Sequence, residues 1–391
     1  MKGIHPAVNV KPREGRRARA GAPWLFSNEI DMAAKTLPPG AIVNVVGDDG
    51  RVFGTGTFNA KSLIAARLFD PAADVALDAE FFARKLKRAL SLRETLYAAP
   101  YYRLANAEGD GLPGLVVDRF ADTCVVQITT AGMEGLLEPL LAALDETLGP
   151  VNVVLRADAP ARSLEGLELY VRAAKGKAGR IAVEENGVRY FADLEAGQKT
   201  GWYYDQRDNR AFLASLAHGK SVLDAYCYTG GFALAAARAG AKDVAGLDSS
   251  APALALAQEA AAANGLSCNF VKTDVFEELE RLRTARESFA VVAADPPPFV
   301  KSKKDLEPGA KAYRKLARLA ASVTAPGGFL MLASCSHNIP LERFLSECAA
   351  GIARAGRSAR LIRQSGAAGD HPTHPMLPES AYLKALVYAL D

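Results

Sequence analysis

The sequence has few cysteines and no long apolar run. Among 391 residues there are 5 cysteines, none at metal-ligand spacing, which argues against a disulfide scaffold or a zinc site and suits a reducing compartment. No run is long enough to span a bilayer, and the opening Met1-Lys-Gly-Ile-His-Pro has no apolar signal-peptide core. The expected location is therefore cytoplasmic, with no membrane partner and no metal. Internal repeats and low-complexity tracts are absent, apart from Ala-rich stretches that are simply good helix formers. Strong net charge is missing too: 47 Lys and Arg against 44 Asp and Glu leave +3, which alone says nothing about nucleic acid. What remains is 49% hydrophobic and 23% charged, ordinary for a globular protein. The chain is too long for one core, so two or three domains are expected.

The most informative stretch is Phe289-Ala-Val-Val-Ala-Ala-Asp295-Pro-Pro-Pro-Phe299. Its apolar run has no polar face and reads as a strand buried on both sides, as in a parallel sheet. Proline lacks an N–H and forces extended geometry on the residue before it, so the strand stops at Asp295. A helical pattern follows (Leu316, Leu319, Ala320, Val323), then the breaker Ala325-Pro-Gly-Gly328 and a second buried strand, Phe329 to Ser334-Cys335-Ser336. Strand, crossover helix and parallel strand place Asp295 and Cys335 at one edge of the sheet, where open parallel sheets bind ligands. The pair reads either as an acid/base group with a nucleophile or as a helix cap with a buried cysteine.

Residues 1–73 are rich in Gly and Pro, with short alternating runs at 42–46, 52–58 and 63–69, which predicts a small barrel-like β domain. Residues 74–190 read as a helix, strands, a helix from 133 to 148 and more strands, a middle α+β domain. The glycines and acids of Asn106 to Arg119 either line a site or make a tight strand connection, and the structural reading is preferred. Two segments are locally basic. Residues 2–19 hold Lys2, Lys11, Arg13, Arg16, Arg17 and Arg19 against Glu14; residues 301–318 hold seven Lys or Arg against Asp305 and Glu307. Either segment is a phosphate footprint or a solvated face.

From residue 191 strands and helices alternate. The predicted strands at 221–226, 243–248, 269–272, 289–294, 329–334, 359–363 and 383–388 describe a seven-stranded, doubly wound α/β domain. Its first strand leads into Asp224-Ala-Tyr-Cys-Tyr-Thr-Gly-Gly231 and a helix, so a glycine turn and a helix amino terminus face a ligand. Asp248 and Asp274 end the next two strands. Neither a Gly-x-Gly-x-x-Gly fingerprint nor a Gly-Lys-Ser/Thr loop is present, so a pyrophosphate is poorly served. S-adenosylmethionine, which has a ribose, an adenine, a carboxylate and a sulfonium but no phosphate, suits the acids better.

Four motifs stand in series: Gly197-Gln-Lys-Thr-Gly-Trp-Tyr-Tyr-Asp-Gln-Arg-Asp-Asn-Arg210, Tyr228-Thr-Gly-Gly-Phe232, Asp295-Pro-Pro-x-Phe299 and Ser334-Cys-Ser336. With Arg19 to Glu29 and Asn106 to Arg119, they make the chain resemble the bacterial 23S ribosomal RNA cytosine-5 methyltransferases that carry an amino-terminal PUA domain, an RNA-binding module. The departures are Pro298, where Lys, Ala or Thr is more usual, and Trp202-Tyr203-Tyr204 in place of a Phe-rich run. The resemblance implies a class I S-adenosylmethionine-dependent methyltransferase domain at 191–391 behind the PUA-like and middle domains. It implies that Asp205 and Arg207 sit over the cofactor, Thr229 to Gly231 hold its methionine end, Asp248 its ribose and Asp274 its adenine. The full cofactor set adds Asp224, Tyr228, Gly230 and Asp295. The expected substrate contacts are Pro296, Pro297, Phe299 and Lys301, with Arg16, Arg17 and Arg19 on RNA. The expected partner is 23S ribosomal RNA, and a homodimer is entertained as the assembly.

Carbon 5 of cytosine needs activation before it accepts a methyl group. A thiolate adding at carbon 6, with a neighbouring acid holding a proton at ring nitrogen 3, provides it. Cys335 and Asp295 supply that pair, whereas Cys124, Cys227, Cys268 and Cys348 read as core residues. No cysteine follows Pro297, so a second thiol there cannot assist product release. The competing expectations are a guanine ring-nitrogen methyltransferase without covalent catalysis, an RNA-binding assembly factor with a vestigial fold, and an oxidoreductase on the same sheet.

Overall fold

The computed structural model describes residues 4–31, 34, 36–195, 197 and 200–391. Lys2 of the basic cluster, and Gln198 and Lys199 of the motif at 197–210, lie outside the described residues. The chain divides into two compact units. One comprises Met1–Gly179, Leu194–Trp202 and Gly369–Pro378, the other Arg180–Asp193, Tyr203–Ala368 and Glu379–Asp391.

In the first unit, β1 (Ala7–Asn9), the single-turn α1 (Arg16–Arg19), β2 (Trp24–Phe26), β3 (Ala41–Val46), β4 (Val52–Phe58) and β5 (Ile64–Asp70) come first. The strands form a sheet in the order β1-β3-β4-β5-β2. Val43 and Val45 of the alternating run are fully buried, as a period of two requires. The Gly-Thr-Gly in β4 is dictated by close approach: a Cβ on Gly54 would lie 2.1 Å from the Asp70 carbonyl oxygen, and one on Gly56 2.3 Å from that of Arg67. The three-residue β1 and β2 carry too little pattern to be read from sequence.

The same unit continues with α2 (Ala79–Leu96), β6 (Tyr101–Asn106), β7 (Leu115–Phe120), β8 (Thr123–Ile128), α3 (Ala131–Gly135), α4 (Leu137–Leu148), β9 (Asn152–Ala157), α5 (Ala161–Leu164) and β10 (Tyr170–Lys175). These strands order as β10-β9-β8-β7-β6. Strand β10 escapes the sequence reading because it is a half-exposed edge without apolar alternation. The acids of the 106–119 stretch are structural. Asp110 makes a two-pronged pair at 2.6 and 2.7 Å with Arg93, which is fully buried, and Glu108 accepts the Trp24 indole N–H at 2.8 Å.

The second unit opens with a hairpin, β11 (Arg180–Glu185) and β12 (Val188–Asp193), which the sequence reading puts in the middle domain. Val188, Tyr190 and Ala192 are buried, and Asn264 donates to the Arg189 carbonyl at 2.6 Å. Next come α6 (Arg207–Ser215), β13 (Ser221–Ala225), α7 (Gly231–Arg238), β14 (Asp243–Asp248), α8 (Ala251–Ala263), β15 (Asn269–Lys272), α9 (Val275–Ala285), β16 (Phe289–Ala294), α10 (Leu306–Ser322), β17 (Thr324–Ser334), α11 (Leu341–Arg354), β18 (Ala359–Ser365) and β19 (Lys384–Leu390). The seven strands order as β15-β14-β13-β16-β17-β19-β18. The first five are mutually parallel, and β19 runs antiparallel to both neighbours.

Val291, Val292, Ala293 and Ala294 are fully buried between β13 and β17, so the strand without a polar face occupies the middle of the sheet. The order reverses between β13 and β16, the switch point at which α/β sheets open a crevice beyond their carboxyl ends. One boundary differs from expectation. Strand β17 begins at Thr324, and the Ala325–Gly328 breaker is absorbed as a bulge, where pairing shifts from Phe289↔Thr324 to Val291↔Phe329.

Candidate active site

Two neighbouring regions line the carboxyl edge of the second unit's sheet. The first is the loop between β13 and α7. Tyr226 and Tyr228 both adopt positive φ (65° and 51°), as does Gly230 (81°), the residue before the helix. Left-handed geometry at two tyrosines is costly and persists where the surroundings enforce it. Acids hold the backbone of this loop and of the elements beside it. Asp224, fully buried, accepts the Ala233 N–H at 2.8 Å and so caps α7. Asp248 bridges two loops, accepting the Tyr228 N–H at 2.9 Å on one oxygen and the Ser250 N–H at 2.8 Å on the other. Asp274, exposed at the next strand end, caps α9 through the Glu277 N–H at 3.1 Å.

Burial pushes the Asp224 carboxyl up to about 7, and Asp295 and Asp248 push it the same way against the Ala233 hydrogen bond. Its second oxygen and the Thr229 hydroxyl are buried without a partner among the described residues. Unsatisfied acceptors at a helix amino terminus fit a ligand that brings cationic and N–H groups to one place. S-adenosylmethionine does so through its ammonium and sulfonium, and the residues present are compatible with it.

Farther upstream lie Asp205 and Arg207, both expected over the cofactor. Asp205 is buried and accepts the Tyr382 hydroxyl at 2.5 Å. Arg207, expected over the cofactor, directs its Nε at Glu185 of β11 at 3.4 Å and lies over the Tyr204 ring. Arg210 completes the clamp on Glu185 at 2.6 and 2.8 Å. Sequence reasoning missed Glu185 because the hairpin that carries it reads as part of another domain.

The second region joins the ends of β16 and β17. Asp295 and Cys335 are both half-buried. Their loops are tied together by the residues around them. The Ser336 hydroxyl accepts the Val300 N–H at 3.2 Å, and the Tyr313 hydroxyl lies 2.9 Å from it while accepting from Ser334 at 2.8 Å. Asn338 donates to the Lys301 carbonyl at 3.0 Å. Ser336 thus ties the proline loop to the end of β17, and both serines tie that end to Tyr313 of α10. Phe299 packs between Phe276 and Tyr313, with ring centroids at 6.0 and 4.8 Å, so it anchors the loop. Pro296 is buried; Pro297 and Lys301 are exposed.

Tyr203 links the two regions. Its ring meets Tyr228 edge-on at 5.4 Å, and its hydroxyl is held neutral by burial first, then by Tyr228, Asp205, Asp295 and Cys335. Asp295 and Cys335 therefore act on one group, as their common sheet edge requires. The other thiols differ in setting. Burial pushes Cys124 up to about 12 and Cys268 to about 11, and drives Cys227 and Cys348 well above the usual thiol range.

The amino-terminal arginines belong to the first unit. Arg19 is paired with Asp48 at 2.9 Å and with Asp49, so its charge is already balanced. Arg17 donates to the Met376 carbonyl at 2.9 Å, and Arg16 is exposed.

The chain matches two family profiles, a PUA-like domain over residues 8–71 and an S-adenosylmethionine-dependent methyltransferase over residues 176–389. It is 37% identical to ribosomal RNA large subunit methyltransferase I of Shewanella amazonensis, covering 97% of this chain and 98% of that protein. The same identity holds for the protein of that name from Aeromonas salmonicida, at 97% of each chain. Two solved structures share the fold. One is a Streptococcus mutans protein described as an S-adenosylmethionine-dependent methyltransferase (TM-score 0.83, 21% identity). The other is a methyltransferase in complex with SAH (TM-score 0.85, 21% identity); each match covers 98% of this chain and 100% of the other. Both the profile that spans the catalytic sheet and the full-length likeness lead to one assignment: the chain belongs to the ribosomal RNA large subunit methyltransferase I family of S-adenosylmethionine-dependent methyltransferases, with a PUA-like domain at its amino terminus.

Proposed function

We propose that this protein methylates carbon 5 of a cytidine in 23S ribosomal RNA through a covalent adduct with Cys335. The observation that carries the reading is the fastening, by Ser334, Ser336 and Tyr313, of the loop that follows Asp295 to the strand end that carries Cys335. The names of the relatives and the PUA-like domain support an RNA substrate. Thr229, Gly230, Gly231 and Tyr228 form the cradle for the cofactor's methionine end, Asp224 and Asp205 lie beneath it, Asp248 takes the ribose and Asp274 the adenine. Arg207 supports this cradle through Glu185.

Bound S-adenosylmethionine supplies an electrophilic methyl group. The Cys335 thiolate adds to carbon 6 of the base, and the displaced electron pair makes carbon 5 nucleophilic while Asp295 stabilises the adduct through a proton at nitrogen 3. After transfer, loss of the carbon 5 proton to a base restores the double bond as the carbon–sulfur bond breaks, returning the thiolate. Pro296 and Pro297 keep Asp295 rigidly at the sheet edge. Exposed Lys301, Lys303 and Lys304 lie on the same loop and suit phosphate contact.

The test is the product. Purified protein, cofactor and 23S ribosomal RNA from a strain lacking the protein should yield 5-methylcytidine on nucleoside mass spectrometry. A methylated guanine with no 5-methylcytidine would replace this reading with a non-covalent one.

A further inference from the structure

We infer that Lys384 is a resident cation that favours the thiolate of Cys335, a positioning residue that acts through the nucleophile; the inference rests on the reading of Cys335 given above. Strands β17 and β19 are antiparallel, and their register sets Lys384 opposite Ser334, one residue from the thiol. The lysine opens an otherwise apolar strand and is only 9% exposed. Its amine donates to the Ser336 carbonyl at 2.8 Å and to the Tyr382 carbonyl at 3.0 Å. Two of the three donor directions of an ammonium are thus fixed on backbone flanking the thiol on one side and preceding the lysine on the other, which leaves one.

Lys384 makes no ion pair with a carboxylate among the described residues. A buried cation in that position is unfavourable unless an anion compensates it. Burial lowers the affinity of Lys384 for its proton, and the charge that works the other way is that of Cys335. Among the described residues, Cys335 acts on Tyr203 and Tyr313 and Asp295 acts on Tyr203, while the exposed His337 has its ring 5.2 Å from that of Tyr382. Tyrosines and a carboxylate do not favour a thiolate, whereas a buried lysine cation does. Proton transfer from the Cys335 thiol to the Lys384 amine leaves the pair as thiolate and ammonium, with no other reactant needed.

A purely structural lysine would need only its two hydrogen bonds, which a glutamine amide also offers. The experiment follows the pH dependence of Cys335 alkylation by iodoacetamide, read by peptide mass spectrometry, in protein without RNA or cofactor. Lys384→Gln should raise the midpoint by about 1–3 pH units, the usual effect of losing an adjacent opposite charge, while Lys384→Arg keeps it near that of the wild type. Cofactor binding by calorimetry confirms that each variant is folded. An unmoved midpoint in folded Lys384→Gln overturns the inference. Should that variant not fold, Cys335→Ser tests the pair from the other side: the Lys384 amine, followed by NMR, should titrate at lower pH than in the wild type, and an unchanged titration overturns the inference equally. Because alkylation needs no RNA, a shifted midpoint upholds the charge pair even where cytidine is not the target.

Discussion

The two regions at the edge of the catalytic sheet divide labour differently. At the ends of β13, β14 and β15 the carboxylates hold backbone: Asp224 caps α7, Asp248 ties Tyr228 to Ser250, and Asp274 caps α9. Asp248 thereby tethers a loop that holds two tyrosines at positive φ. At the ends of β16 and β17 the holding is done by hydroxyls, those of Ser334, Ser336 and Tyr313, and the half-buried acid and thiol are presented by the loops so held. The first region is built to shape a binding loop. The second is built to hold an acid and a thiol at the sheet edge.

This contrast should be broken most strongly by exchanging what each acid does. Asp295→Asn is expected to slow methyl transfer by about 10²–10⁴-fold, the usual range for loss of a proton-transfer group, with cofactor binding retained. Asp248→Ala should do the reverse, weakening cofactor binding by ~1.5–3 kcal/mol for each charge-assisted hydrogen bond lost, because both the ligand contact and the Tyr228 tether go. Calorimetry and single-turnover rates on both variants check the division, and a loss of cofactor binding in Asp295→Asn would blur it.

A smaller effect comes from pH. Burial raises the Asp224 carboxyl from the usual 3.8 to about 7. A carboxyl raised in the folded state contributes stability that is fully present below the unfolded value and is lost as pH rises through the folded one. Cofactor-free protein should therefore lose stability between roughly pH 4 and pH 7, and Asp224→Asn should flatten that part of the profile in urea melts. Asp295→Asn should flatten it less, since Asp295 only adds to a shift dominated by burial.

The smallest effect tests the basic arm. Arg19 is already balanced by Asp48 and Asp49, whereas Arg16 is exposed. Arg16→Ala should reduce the salt slope of RNA binding by about 0.7, the value for one single-strand phosphate contact. Arg19→Ala should change it less. Equal slopes for the wild type and Arg16→Ala would make the segment a solvated face.

Much of this architecture is legible in the chain because its signals are strong and local. A strand without a polar face, stopped by three prolines, places Asp295 at the centre of the sheet edge, and acids at successive strand ends mark the binding loop. What stays hidden is carried by long-range partners. Glu185 comes from a hairpin, Tyr382 from the segment before the last strand and Lys384 from that strand, and no spacing in the sequence ties them to Cys335 or Asp205. Tyr313 looks like one apolar position of an amphipathic helix until its hydroxyl is seen between two serines. The charge on Arg19 counts toward a basic cluster in the sequence and is cancelled by a turn thirty residues on.

The central claim is that one thiol of five is the nucleophile, and the most direct measurement is covalent trapping. RNA carrying 5-fluorocytidine at the target cannot lose its carbon 5 substituent, so in the presence of cofactor the enzyme should remain attached as a denaturation-stable adduct. The account expects that adduct with the wild type and with Cys227→Ala, whose parent thiol is buried and held protonated, and none with Cys335→Ala. Undiminished adduct or full methyl transfer with Cys335→Ala would contradict it and return Cys335 to the core.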